Sequence, residues 1–228
     1  MLVNFRVDPD VMQRNLPKRF HPKLHKDYAV AGICLIRLEH IRPKLLPPIA
    51  GLSSENAAHR VAVLWEDESN QLREGVFIPR RDTNSLINYL AGGKIFPGEH
   101  HRASFIAQQS DSKINLEMKS EDGAVAVRIA GSITDKLPET SIFSSLSEAS
   151  SFFEKGSLGY SATSDSNRLD GLVLETKQWR VEALSVKEVN SSYFANESMF
   201  PKGSVEFDHA LIMRDIEHEW HTAPDLYV

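Results

Sequence analysis

The sequence predicts a β-rich α+β protein: a closed barrel or two packed sheets of mainly antiparallel strands, covered by three short helices. Two observations carry this. Nine stretches rich in Val, Ile, Leu and aromatic residues follow one another along the chain, and turn-like pieces, SDSK at 110–113 and SEDG at 120–123, separate three of them at short spacing. Strands joined by tight turns form meanders, and so many of them must close or pack on a second sheet to bury their apolar faces.

The strands are read at Tyr28–Ile41, His59–Glu66, Glu74–Pro79, Arg102–Gln108, Lys113–Lys119, Ala124–Gly131, Gly171–Thr176, Trp179–Val189 and Val205–Asp215. Three capped stretches read as helices. Asp8 precedes Pro9 at a first helical position, VMQRNL follows, and Pro17 stops the run. Asp82 is placed to cap TNSLINYLA, which Gly92-Gly93 ends. Ser145 and Glu148 have capping-box spacing, Phe152 and Phe153 supply an apolar face, and Gly156 stands where a left-handed residue would end the helix. There is no internal repeat and no low-complexity tract.

A chain of 228 residues, 41% hydrophobic, can bury a substantial core as one large β-rich domain or two small ones. The longest apolar run, Ala29–Ile36, falls far short of the roughly 20 residues of a membrane helix, and the N-terminus lacks a basic-then-apolar signal. A cytoplasmic protein without membrane contact is expected. A net charge of −5, with arginines dispersed along the chain, offers no positive field for a phosphate backbone, so nucleic acid is not an expected partner. The single cysteine, Cys34, lies in AVAGICLI and reads as a small buried hydrophobe.

Functional groups concentrate between Glu55 and Arg102, at strand ends and beside a short helix, where a scaffold presents its chemistry. Arg80-Arg81-Asp82 leaves a strand and approaches a helix. One arginine suits a carboxylate clamp, with Arg81 favoured by its place nearer the helix; the alternative is an ion pair with Glu66, Asp82 or Glu99. In His100-His101 an extended backbone sends the rings to opposite faces, so only one enters a cavity, where it can act as acid or base beside Glu99. The other reading of the pair is one ring in solvent and one in a structural hydrogen bond. His209, His218 and His221, with Glu217 and Glu219, invite a metal reading, but DIEHEWH alternates like a strand or edge, and no metal is expected. GSLGYS at 156–161 reads as a loop without the order of a nucleophile elbow.

The segments VDPDVMQRNLPKRF, EGVFIPRRDTNS, FPGEHHRASF, FFEKGSLGYSATSDSNRLDGLVLETKQWRVEAL and GSVEFDHALIMRDIEHEWH resemble an uncharacterised group of bacterial proteins similar in fold to acetoacetate decarboxylase. The resemblance covers nearly the whole chain. It implies a single domain over 1–228, built on an antiparallel β-barrel-like double sheet with a funnel-shaped cavity for a small molecule. The decarboxylases carry Pro-Lys-Lys, in which one lysine forms a Schiff base and its neighbour depresses the pKa. Here Pro97 is followed by Gly98, Glu99 and His100, and the nearest lysine, Lys94, precedes the proline. Schiff-base decarboxylation is therefore not expected. Ser53-Ser54-Glu55, followed by Arg60, resembles the family's glutamate segment, and the resemblance gives the loop around Tyr160 a cavity-lining or turn role.

These readings combine into a protein that binds a small oxo- or carboxylate-bearing metabolite in a barrel cavity, with no cofactor. Glu99, His100 and His101 are the acid–base candidates, and Glu55, Arg60, Arg81 and Tyr160 the binding candidates. Lyase- or hydratase-type chemistry fits; so does a binding module that does not react, or a structural homo-oligomer.

Overall fold

The computed structural model describes residues 1–41, 51–91 and 97–228. The elements are β1 (Leu2–Val7), α1 (Pro9–Arg14), β2 (His21–Pro22), β3 (Leu24–His25), β4 (Tyr28–Ile41), β5 (Leu52–Glu66), β6 (Leu72–Thr83), α2 (Leu86–Ala91), β7 (His100–Gln109), β8 (Lys113–Ser120), β9 (Ala126–Thr134), α3 (Leu146–Glu154), β10 (Leu158–Ala162), β11 (Arg168–Thr176), β12 (Glu182–Ser191), β13 (Val205–Ile212) and β14 (His218–Tyr227). Strands β6-β7-β8-β9-β12-β13-β1-β4-β5 pair in that order and β5 returns to β6, which closes a nine-stranded barrel among the described residues. β10, β11 and β14 continue from β6 as a wing.

β6 serves both parts along one edge, pairing with β10 over Val76–Ile78 and with β7 over Arg81–Thr83. Both of these pairings are parallel, where the short spacing of strands had suggested antiparallel neighbours. The β6–β7 link needs a crossover rather than a tight turn, and α2 lies in it.

Alternation sends Val3, Phe5, Ile33, Val61, Phe77, Met118, Val127 and Ile129 into the barrel lumen, where they form the main apolar core. A second cluster lies on the outer wall, where Phe143, Ala149 and Phe153, at and before α3, cover Val30, Ala62 and Leu211. One departure from alternation controls the rest. His59 and Val61, two residues apart on β5, pair with Arg80 and Phe77, three residues apart on β6. The extra residue is a bulge at Ile78–Pro79, a place where a residue without an N–H is tolerated. Beyond it, Arg80 and Asp82 face the lumen and Arg81 faces outward.

The helix caps follow the sequence in part. The Asp8 carboxylate accepts from the N–H groups of Asp10 and Val11 at 2.9 and 3.1 Å, as expected of an N-cap. Ser145 Oγ accepts from the Glu148 N–H at 3.1 Å, but the Glu148 carboxylate reaches back to the N–H of Ser144 rather than Ser145. Asp82 caps nothing: it lies fully buried in β6, and Ser85 Oγ accepts from the Asn88 N–H at 3.2 Å to start α2. Gly92-Gly93 lies outside the described residues. Gly156 has no positive φ; α3 ends with Lys155 still right-handed at φ −68°. GSLGYS, read as a loop, holds most of β10, which pairs on both sides and places Tyr160 in the core.

A candidate ligand site at Arg81 and His100

Parallel pairing sets Arg81 of β6 directly beside His100 of β7 on the outer face of the barrel wall. Ile36 and Leu38 of β4, Asn56 and Ala58 of β5, and Asn88 of α2 surround them, and Leu172 and Trp220 close the space from the wing. The pocket is partly open and has a cavity volume of about 30 Å³, room for a water-sized group or a small headgroup.

Arg81 donates through Nε to Ser161 Oγ at 3.0 Å. No carboxylate lies within ion-pair distance of it among the described residues, because its neighbour takes them: Arg80 reaches Asp82 at 2.7 Å and Asp122 at 2.9 Å. Burial pulls the Arg81 guanidinium down to about 10, with Asp170 opposing, so it stays charged at neutral pH. His100 Nδ1 lies 3.2 Å from the Gly98 carbonyl, which can only accept, so the ring proton stands on Nδ1 and the lone pair on Nε2. Burial and then the charge of Arg81 lower His100 to about 4, and the ring is neutral at neutral pH.

The structure separates the other candidates from this pair. His101 faces the opposite side, with Nδ1 3.4 Å from Asp122 at the lumen rim, so His101 and Arg81 do not converge. Glu99 is exposed, and its backbone N–H donates to the Ala162 carbonyl of the wing at 3.0 Å. Glu55 pairs with Arg37 at 2.6 Å. Tyr160 packs with Phe20 and Trp65 at ring-centroid distances of 6.3 and 5.5 Å. Arg60 shares the outer wall with Arg81 but lies under α3: it donates to Cys34 Sγ at 3.0 Å and to Asn4 Oδ1 at 2.6 Å, and stacks over Phe153 at 4.8 Å. Asn4 continues to His209, and His209 to Asp208, as a fully buried polar chain. His221 approaches Glu175 and Glu219 at 3.4 and 3.5 Å, yet among the described residues no group of three ligands could hold a metal ion.

Asn56, Asn88, Leu172 and Trp220 were not among the expected site residues. Asn56 adjoins the SSE segment and Asn88 lies in the helix after RRD, so proximity in sequence was the available signal; the wing's approach was not legible.

The family model for DUF2071, described as an uncharacterized conserved protein, matches residues 1–213. The chain belongs to the DUF2071 family. A comparison with curated protein sequences gives no match. Among solved structures, this family member is similar to an acetoacetate decarboxylase-like enzyme from Sphingomonas wittichii RW1, with TM-score 0.50, 13% identity, and 97% of this chain and 83% of that one covered. It is similar to acetoacetate decarboxylase from Legionella pneumophila, with TM-score 0.51, 14% identity, and 99% and 81% covered. It is also similar to the enduracididine biosynthesis enzyme MppR complexed with pyruvate, with TM-score 0.52, 12% identity, and 99% and 85% covered. At these identities the likeness shows a shared acetoacetate decarboxylase-like fold.

Gly98 and Glu99 follow Pro97 and lead into β7 of the DUF2071 chain. Gly98 has φ +86°, and a Cβ there would stand 2.5 Å from the Ser161 Cβ. Its N–H donates to Asp170 at 2.9 Å and its carbonyl accepts from His100. The backbone at this point joins the wing to the candidate site, and Gly98 is packed too closely to carry a side chain without a shift. Lys94 lies outside the described residues.

Proposed function

We propose that this protein binds a small oxo- or carboxylate-bearing metabolite at Arg81 and His100, with acid–base rather than Schiff-base chemistry available to it. The observation that carries the reading is a partly buried guanidinium with no acid partner among the described residues, beside an imidazole whose free lone pair is on Nε2. Arg81 clamps the carboxylate through paired N–H donors, Asn88 offers its amide to an oxo group, and the apolar walls of Ile36, Leu38 and Leu172 exclude water. A cavity of about 30 Å³ admits the charged head and leaves the body of the ligand outside. His100 Nε2 can take up a proton from bound ligand, as a weak base. MppR, with the same fold, is described in complex with pyruvate and with a pyruvate condensation product, which supports a small oxo-acid as the ligand class. Binding without reaction is the second reading, favoured by the mostly apolar lining.

The test is a thermal-shift screen of small oxo- and hydroxy-acids on wild type, Arg81→Ala, Arg81→Lys, His100→Ala and His101→Ala. A ligand should stabilise wild type and His101→Ala, fail with Arg81→Ala, and be poorly rescued by Arg81→Lys. Equal stabilisation of all five proteins would sink the site. Loss with Arg81→Ala but unchanged proton exchange of the ligand in His100→Ala would favour the binder over the enzyme.

A further inference from the structure

His59 is fully buried, and neither ring nitrogen has a hydrogen-bond partner among the described residues. It projects into the barrel lumen from β5, between Ile33 and Arg80 on the neighbouring strands. This end of the lumen is covered by the turns of residues 191–200. The Tyr193 ring lies 4.3 Å from the imidazole, and Phe194 packs 6.3 Å away. A leucine would fill this place without stranding two polar atoms, and buried polar groups ordinarily have partners.

We propose that the lumen end beneath Tyr193 is a second ligand site, in which His59 recognises a small uncharged molecule bearing a hydroxyl or carboxamide on an apolar body. The chemistry follows from the groups that face it. His59 carries one N–H donor and one acceptor nitrogen, a match for a group that both donates and accepts. Burial, with Arg80 nearby, holds the ring neutral and lowers it to about 3, which removes any attraction for an anion. Arg80, the cation at this end, is already held by Asp82 and Asp122, and His101 stands against Asp122. A carboxylate would find no free positive charge here, in contrast to Arg81. Phe5, Phe194 and Val61 supply the apolar surface. Tyr193, half-buried where His59 is fully buried, is the wall that must swing aside.

The experiment uses the full chain with ¹⁵N-labelled histidine and phenol as probe, benzoate as its charged counterpart. Two-bond ring spectra should show the His59 nitrogens shifting with phenol and unmoved by benzoate. Phenol should raise Tm in wild type and in Arg81→Ala alike, which separates this site from the one proposed above. His59→Leu should fold at least as stably as wild type and bind phenol about tenfold more weakly, or worse. His59 nitrogens unmoved at saturating phenol, or equal stabilisation of His59→Leu, would overturn the proposal. The wild-type spectra decide the matter even if His59→Leu does not fold.

Discussion

Nη2 of Arg60 donates to Oδ1 of Asn4 at 2.6 Å, and that bond fixes which way the amide faces. Asn4 then presents Nδ2 to His209 Nε2 at 3.1 Å, so Nε2 accepts and the ring proton stands on Nδ1, against Asp208 at 2.5 Å. One amide orients two buried groups. Asn4→Leu should cost on the order of 3–5 kcal/mol, because it strands a buried guanidinium and an imidazole together. Urea unfolding measures it, and a loss below about 1 kcal/mol would mean that the chain contributes little.

Stability should fall on mild acidification. His59 is lowered from 6.5 to about 3 and His100 from 6.5 to about 4, in both cases chiefly by burial. As pH drops through 6.5 the unfolded chain takes up both protons and the folded chain does not, so stability is full above that value and declines toward the folded values. The slope is about 1.4 kcal/mol per pH unit for each group. Tm measured across this range should fall, and His59→Leu should remove about half the slope contributed by the pair. An unchanged slope would show that His59 is not protected from protonation.

Phe152 and Phe153 are neighbours with unequal roles. Phe153 is 7% exposed against His209 and Phe143, whereas Phe152 is only partly buried, with Lys23 4.4 Å above its ring. Phe153→Ala should cost about 3–5 kcal/mol and Phe152→Ala clearly less. Equal and mild losses would count against α3 as a docked helix.

Gly98→Ala should be costly out of proportion to one methyl, since it meets both a positive φ and the Ser161 Cβ at 2.5 Å. A loss of about 1–3 kcal/mol is expected from the backbone alone. The ring resonances of His100 should shift as its acceptor carbonyl moves. Wild-type stability with His100 undisturbed would show that this glycine is dispensable.

No borohydride-trappable adduct should form with acetoacetate, because no adjacent lysine pair follows Pro97. A covalent mass increase mapped to Lys94 would reverse this.

Local pattern carried much of the fold. Tyr28–Ile41 was legible to its ends, and Asp8 and Ser145 cap as their neighbours demand. β1, a short strand, was not read, and β14 was read only at its start, where DIEHEWH alternates like a strand or edge. The closure of β5 onto β6 belongs to long-range register, which no local window contains. The site was legible as a region but not as a set. Arg81 and His100 were in view, but choosing between Arg80 and Arg81, or His100 and His101, required knowing strand parity. Asp82 misled for the same reason, because an aspartate before a helical run signals a cap whether or not the strand reaches past it.

The bulge at Ile78–Pro79 makes strand register, rather than residue identity, the variable that assigns chemistry to each face of β6. Arg80 and Arg81 have the same side chain, yet one is neutralised by two aspartates and the other, bonded to Ser161, has no carboxylate partner among the described residues and lies beside an imidazole outside. Pairing this stretch in strict alternation at its present length would exchange them, bringing an unpaired cation into the apolar lumen and a different arginine to the wall. Point substitutions at Ile78 or Pro79 alter packing. A slip that flattens the bulge at this length would invert two surfaces at once, so the spacing from Phe77 to Arg80 against that from His59 to Val61 is the quantity to compare when other chains of this kind are aligned.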